Sequence, residues 1–310
     1  MQVTTKLLID MTCHMRPAYS DAEKDFCKTY LQPVFGEPDR HGNYIKVIGN
    51  RPDIAFTAHT DTVHVTDGIQ SLLVEDDFLT TMTGSCLGAD CTTGLWLMLG
   101  MIEAGVEGVY IAHAAEEIGG IGSAALVKDN PVWLDDLVAC ISFDRYGTES
   151  IITHQGGSRT ASDEFAASLA LALDMPFLKP DTGGTYTDSL EYAHIVPECS
   201  NISVGYYAQH SVRESQDLLF AEMLLERLIE ADWDLLMIKR HPSVDIREED
   251  YSGASYEDDE EEIALAKIDD LLFNYPQRVA QVLLEYGITA EMLSEEMGIE
   301  VENDQINYYK

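Results

Sequence analysis

Positive charge is what this sequence has least of. Its 310 residues carry 19 lysines and arginines against 55 aspartates and glutamates, a formal net charge of −36 with histidine neutral. Phosphate backbones and anionic membrane surfaces repel such a chain, which argues against nucleic acid and membrane partners. Cysteine is sparse and unpatterned. The six residues, Cys13, Cys27, Cys86, Cys91, Cys140 and Cys199, form no CxxC, and most sit among apolar neighbours. That usage reads as free thiols in a reducing cytoplasm. Long apolar runs are also missing: none approaches the roughly 18 residues that span a bilayer. The N-terminal region lacks the basic-then-apolar pattern of a secretory signal, so none is expected.

What is present is globular. A hydrophobic content of 45% with 9% aromatic side chains excludes a disordered chain and supplies one large core, or one core and an appendage. The chain is organised around Ala55 to Glu117, which reads AFTAHTDTVH, then LGADCTTG, then YIAHAAEEIGG. Apolar runs end in His59-Thr60-Asp61 and in Glu116-Glu117, and a loop between them presents Asp90. Further on, LVACISF ends in Asp144 and NISVGYYAQ ends in His210. Open α/β sheets place their chemistry in polar loops at the carboxyl ends of strands. A set of carboxylates with imidazoles suits Zn²⁺ or a similar divalent ion. Five candidates, His59, Asp90, Glu117, Asp144 and His210, are too many for one tetrahedral zinc but suit two metals sharing a bridging carboxylate. Cys91 follows Asp90, and the reading leaves it outside the ligand set.

The ordered set HTD, GAD with Gly94, EE, a lone aspartate and a final HS resembles the co-catalytic di-zinc exopeptidases. These are the di-zinc aminopeptidases with their peptidase T and carboxypeptidase relatives. The resemblance runs from about Ile54 to Asp217. It implies that His59 and Asp144 hold one Zn²⁺, that Glu117 and His210 hold the other, and that Asp90 bridges them, with Co²⁺ or Mn²⁺ as alternative metals. It further implies peptide hydrolysis by a metal-bridged hydroxide, with Glu116 as general base delivering the proton to the leaving amine. Asp61, two residues after His59 on one side of an extended segment, can accept the imidazole's other N–H or cap the loop. Some lid-less members use a tyrosine as oxyanion donor, and TYTDS offers Tyr186, or else a wall of the substrate pocket. His64, His113, His154, His194 and His241 match no ligand position. Arg145 and Arg159 are cations near the site that could meet a substrate carboxylate.

Alternating strands and helices predict an α/β fold, a three-layer αβα sandwich with a mixed, mostly parallel sheet. Residues 1–35 read as helical, with a capping-box pattern from Ser20 to Glu23. Strands are expected at 43–48, 54–58, 109–114, 138–143, 151–153 and 201–205, with a hairpin around Glu75-Asp76-Asp77. Helices are expected from Thr92, near Gly122, over 162–173 and over 216–238. The 65 residues between Asp144 and His210 leave no room for the dimerising lid domain of the carboxypeptidase relatives. Local loops must then bound the pocket, chiefly Lys179 to Tyr192. There Asp188 reads either as a partner for a substrate ammonium or as the cap of a helix starting at Ser189.

The domain reading is a catalytic domain over 1–244, an acidic linker over 245–262 and a small helical extension over 263–310. Residues 245–310 hold 19 acidic against 4 basic side chains. Pro276 suits a helix start and Gly287 a helix end. The extension reads as a helical bundle on the core or as an acidic tail docking a partner. The leading functional reading is a zinc-dependent aminopeptidase acting on small peptides, in the cytoplasm, as a monomer or homo-oligomer. Alternatives are an amidohydrolase or deacylase acting on an acyl-amino acid or similar metabolite, and a non-catalytic scaffold with the peptidase fold. A glutaminyl-cyclase-like transferase would need one zinc where five ligands are present.

Overall fold

The computed structural model describes residues 3–50, 52–242, 276–286, 288–289 and 292. The chain divides into two compact units, Met1–Gly253 and Ala254–Lys310. The first is built on three apolar strands, Ile54–His59, Gly108–His113 and Ala139–Arg145, and every residue of the first two is buried. Continuous apolar runs of this kind are required where a strand is covered on both faces.

These strands lie inside a seven-stranded sheet. Its spatial order is Lys179–Asp181, Ser150–Ile152, Glu198–Ser203, Ala139–Arg145, Ile54–His59, Gly108–His113, Tyr44–Ile48. The edge strand Tyr44–Ile48 and the Ser150–Ile152/Glu198–Ser203 pair run antiparallel, and the other pairings are parallel. The sheet is therefore mixed and mostly parallel. Ile54–His59 has its two sequence successors on opposite sides, so the strand order reverses there. A crevice forms at the carboxyl ends of strands at such a switch point, and the site lies in it.

Alternate residues fill two different cores. Phe56, Ala58, Tyr110, Ala112, Ile141 and Phe143 pack with residues of the helices Thr5–Thr12, Ala89–Ala104, Asp163–Ala172 and Leu218–Glu230 on one face. Ala55, Val109, Ile111 and Cys140 pack against Leu126 and Val127 of Ile121–Asp129 and Tyr192 of Ser189–Tyr192 on the other. This is the expected three-layer αβα sandwich. Between Asp144 and His210 the chain is used up by three strands of the main sheet, a β-hairpin and two helices, with no separate lid domain among the described residues. The hairpin at Asp76-Asp77 also forms, joining Leu72–Glu75 to Phe78–Thr81 with both turn residues at positive φ. Among the described residues no helix is long and apolar enough to cross a membrane.

Several boundaries differ from the sequence reading. The helical region 1–35 is interrupted after Thr12, where Pro17 and the left-handed Tyr19 (φ 63°) cannot continue a helix. In the capping box, Ser20 Oγ accepts from Glu23 N at 3.1 Å, but the Glu23 carboxylate turns to Tyr19 N and to the Thr60 hydroxyl. The helix expected over 216–238 spans Leu218–Glu230, because Ser215–Asp217 is drawn into a strand against Phe78–Thr81 and Asp217 caps the helix. The expected strand 201–205 spans Glu198–Ser203. In the second unit, a helix runs from Pro276 to Glu285. The expected linker 245–262, Gly287 and most of the 263–310 extension lie outside the described residues.

Candidate active site

His59 is the last residue of Ile54–His59, paired in register with His113 on the next strand. The chain then turns at Ala115, which takes a left-handed φ of 62°, and presents Glu116 and Glu117 beside it. Asp61 holds this turn: its Oδ1 accepts from Glu116 N and its Oδ2 from Glu117 N, both at 3.1 Å. His59 Nδ1 lies 3.1 Å from the Asp61 carbonyl oxygen and 3.3 Å from Oδ1. Asp61 therefore occupies both positions considered for it, beside the imidazole and on the loop amides. The His59 Nε2 edge faces Asp144 Oδ1 at 3.5 Å. Asp144 is fixed through its backbone, with its N–H on Asn201 Oδ1 and its carbonyl receiving the Tyr206 hydroxyl.

Asp90 lies in the first turn of Ala89–Ala104, where the positive end of the helix dipole favours a carboxylate. Gly94 lets this helix lie on the neighbouring strand, since a Cβ there would overlap the Phe143 carbonyl next to Asp144. Asp90 Oδ2 sits 2.9 Å from His210 Nε2, and Glu117 Oε1 lies 3.3 Å from the same nitrogen. All five expected ligands are thus brought into one crevice. Among the described residues three groups have ligand atoms within 4.8 Å of one another: His59, Asp90 and Cys91; His59, Glu116 and Glu117; Asp90, Glu117 and His210.

The electrostatics are those of crowded acids. Burial pushes the Glu116 carboxyl well above its ordinary range, and Asp144, Glu117 and Asp188 push it further. Burial likewise raises Glu117, helped by Asp90. Burial would also raise Asp90, but the His210 hydrogen bond and charge hold it below the usual carboxylate range. Burial opposes a proton on either His59 or His210, yet Cys91, Asp144 and Asp61 carry the first upward, and Glu117 and Asp90 the second. Both Glu117 oxygens are buried, and neither accepts a hydrogen bond of normal geometry, His210 Nε2 standing 3.3 Å from Oε1. A buried carboxylate so poorly supplied with donors is costly unless a cation meets it. Two imidazoles and several carboxylates, one of them short of donors, form a set into which divalent cations fit.

The remaining expected residues fall out variously. Tyr186 is half-buried, its hydroxyl donating to Glu191 Oε1 at 3.1 Å and sitting where a Cβ on Gly120 would be. Burial first, then Asp188, Glu191 and Glu116, raise its pKa, so it stays a donor. Asp188 does not cap Ser189–Tyr192. Its carboxylate is 1% exposed and neither oxygen accepts a hydrogen bond of normal geometry. Ser123 faces it, but the Ser123 hydroxyl donates to the Gly120 carbonyl at 3.0 Å. Burial pushes Asp188 up to about 8. His64 and His113 are buried and tied into local hydrogen bonds. Arg145 pairs with Asp181 at 3.1 Å and Arg159 with Asp163 at 2.9 Å.

Three supporting residues escaped the sequence reading. Arg16, fully buried, donates to the Thr60 carbonyl, to Cys91 Sγ and to the Thr92 hydroxyl, under the HTD segment. Glu23 braces Thr60 from the other side. Glu214 accepts from the amides of Leu87, Gly88 and Ala89, just ahead of Asp90. These partners, backbone and side chain alike, lie far away in sequence, and no local pattern marks them.

No protein-family profile matches the sequence, and neither does any curated protein. Solved structures do match. The aminopeptidase PepT from Bacillus cereus is 14% identical, with 74% of this chain covering 98% of that one at a TM-score of 0.59. A tripeptidase from Staphylococcus aureus is 13% identical, covering 74% of this chain and 97% of its own, also at 0.59. The Pyrococcus horikoshii TET1 peptidase, which can assemble into a tetrahedron or a large octahedral shell, is 14% identical, covering 73% and 98% at 0.53. The chain therefore shares the fold of PepT- and TET-type aminopeptidases.

Proposed function

We propose that the chain is a two-metal hydrolase of exopeptidase type, an aminopeptidase acting on small peptides. The observation that carries this reading is the gathering of two imidazoles and several carboxylates in one crevice, with Glu117 buried at its centre and only His210 Nε2, 3.3 Å away, near its oxygens. His59 and Asp144 would hold one divalent ion, Glu117 and His210 the other, and Asp90 would lie between them. The donor set favours Zn²⁺, with Co²⁺ or Mn²⁺ as alternatives. Such a pair supplies Lewis acidity toward water and toward the scissile carbonyl.

The chain's own residues do the rest. Glu116 takes the proton of the attacking water as the new C–O bond forms, then gives it to the amine as the C–N bond breaks. A carboxyl held above its ordinary pKa is suited to both halves of that task. Asp61 fixes the His59 ring and the Glu116–Glu117 turn together, so base and ligands keep one geometry. Tyr186, on the rim beside Gly120, would turn its hydroxyl from Glu191 to the developing oxyanion. Asp188, buried behind Glu116, would offer a carboxyl that a substrate ammonium can draw into its charged form. Arg145 and Arg159 already have carboxylate partners, which fits recognition of the amino end of a peptide over its carboxylate. The unpaired cysteines fit a reducing compartment such as the cytoplasm. The TET1 likeness makes a homo-oligomer the assembly to look for.

A panel of aminoacyl, acyl-amino-acid and dipeptide substrates, assayed with and without chelator, tests this reading. Free-amine substrates should be cleaved, and chelation should abolish cleavage. Turnover of N-acylated substrates alone would make the protein a deacylase. Undiminished activity after full metal removal would end the two-metal reading.

A further inference from the structure

We propose that Glu214 is a positioning residue that locks the loop carrying His210 onto the loop carrying Asp90, and thereby sets the geometry of one metal position. The inference rests on the two-metal reading above. Glu214 is 1% exposed. Its Oε1 accepts from Ala89 N at 2.8 Å, and its Oε2 accepts from Leu87 N at 2.9 Å and Gly88 N at 3.2 Å. These are three consecutive amides, and the next residue is Asp90. The Asp90 loop is wedged on its other side too, since Gly88 has φ 72° and a Cβ there would press on Thr62 and His64.

The His210 loop needs such an anchor. Ala208 and His210 hold φ of 53° and 57°, a region that side chains other than glycine rarely adopt. Residues in that region persist only where the surroundings over-determine them. Within the loop, the Ser211 hydroxyl donates to the Ala208 carbonyl at 2.7 Å and Glu214 N donates to the Ser211 carbonyl at 3.1 Å. Beyond it, Ser215–Asp217 pairs with Phe78–Thr81. Glu214 stands between these two fixed regions and reaches across to the Asp90 loop. The product of this tie is the 2.9 Å approach of His210 Nε2 to Asp90 Oδ2. Glutamine could not replace the carboxylate: it offers one acceptor oxygen, and its NH₂ would face amide N–H groups.

The test is a calorimetric zinc titration of the full chain after chelation, on wild type, Glu214→Gln and Glu198→Gln. Glu198 is a second buried carboxylate holding backbone amides, at the other end of the sheet. Wild type should take two equivalents. Glu214→Gln should keep one and bind the other roughly 10–100-fold more weakly, the usual effect of losing an outer partner of a ligand. Glu198→Gln should melt earlier yet bind both equivalents normally. Two equivalents bound by Glu214→Gln with wild-type affinities overturn the proposal, whatever its melting temperature. No zinc uptake by wild type overturns the two-metal reading itself and leaves Glu214 a structural clamp. If Glu214→Gln does not fold, Glu214→Asp keeps the charge and withdraws it by one methylene. The same selective weakening is then expected, and unchanged affinities refute the role.

Discussion

The two ends of the central sheet treat a buried acid in opposite ways. At the amino end, Glu198 is wholly buried and fully used. Its Oε2 accepts from Ser162 N at 2.7 Å, and its Oε1 accepts from the Ser162 hydroxyl at 2.9 Å, Lys239 N at 2.7 Å and Arg240 N at 2.8 Å. The Arg240 guanidinium beside it caps the carbonyls of Arg159, Ala193, Val196 and Pro197. At the carboxyl end, Glu117 and Asp188 are also buried, and neither receives a hydrogen bond of normal geometry. One chain can thus satisfy a buried carboxylate when its task is to clamp backbone. It leaves others poorly supplied with donors where the strand order reverses, and that contrast is what the proposed metal site would explain.

The largest effect should come from the functional end. Glu116→Gln removes the proposed proton acceptor while keeping shape, so turnover should fall by about 10²–10⁴-fold. Metal content and melting temperature should hold, because the side chain accepts no structural bond that an amide cannot replace. Near-normal kcat with full metal occupancy would assign the base elsewhere and break the contrast at its most important residue.

Next comes the clamp. Glu198→Ala strips acceptors from the buried amide of Ser162 and the part-buried amides of Lys239 and Arg240, and each orphaned group costs about 1–3 kcal/mol. A loss of roughly 3 kcal/mol or more in chemical denaturation is expected, with hydrolysis per folded molecule unchanged. A loss under ~1 kcal/mol would mean that the segment after Trp233 is held by other contacts.

Glu117→Gln sharpens the comparison because its effect should depend on metal. In the chelated protein the change relieves crowding among buried carboxyls but weakens the 3.3 Å contact with His210 Nε2, so stability should shift by no more than about 1 kcal/mol. In the metal-loaded protein the same substitution removes a proposed ligand and should lower the melting temperature by clearly more. Chelation of wild type should destabilise it as well, since an ion bound to the native state at 100 times its Kd contributes about 2.7 kcal/mol. A Glu117→Gln protein destabilised equally in both states would make Glu117 another structural acid.

Why some of this was legible in sequence follows from the range of the forces. Runs such as Ile54 to Ala58 and Val138 to Phe143 are apolar but for Thr57 and Ser142, with no polar alternation, which calls for burial on both faces. Their carboxyl ends then locate His59 and Asp144. Asp90 was legible because a glycine before it and Gly94 after it frame a helix start packed on a strand. Glu214 and Glu198 were not, since each bonds mainly to backbone groups distant in sequence, and backbone carries no residue-specific signal; Arg16 was not, since it joins the Thr60 carbonyl to the Cys91 and Thr92 side chains, all remote from it in sequence. The Leu218 helix start was misplaced for a related reason: Gln216 is claimed by the Thr93 hydroxyl and the Val204 carbonyl, and Ser215–Asp217 by a strand. At Asp188 a good local capping pattern misled, because the one-turn helix Ser189–Tyr192 leaves its side chain facing Ser123 instead.

The smallest expected effect belongs to a buried group that is neutral and satisfied. His113 is wholly buried, with Nδ1 3.3 Å from Asn43 Oδ1 and Nε2 3.0 Å from the Tyr192 hydroxyl. These partners suit one neutral tautomer, with Nδ1–H donating to the amide oxygen and Nε2 accepting from the phenol. Burial, and secondarily the neighbouring His59, push its pKa down to about 3. In the unfolded chain the ring titrates near 6.5. As pH falls below that value the unfolded state gains a proton that the native state refuses, so stability drops from pH 6.5 toward 3 and is flat above it. At pH 5.5 the loss from this residue should be about 1.4 kcal/mol. His113→Gln removes the titration, so the wild-type minus variant difference in unfolding free energy, measured in chelator at pH 7.5 and 5.5, should shrink by that amount on acidification. A difference independent of pH would mean that His113 accepts a proton in the folded protein, and that the hydrogen bonds to Asn43 and Tyr192 do not fix its charge.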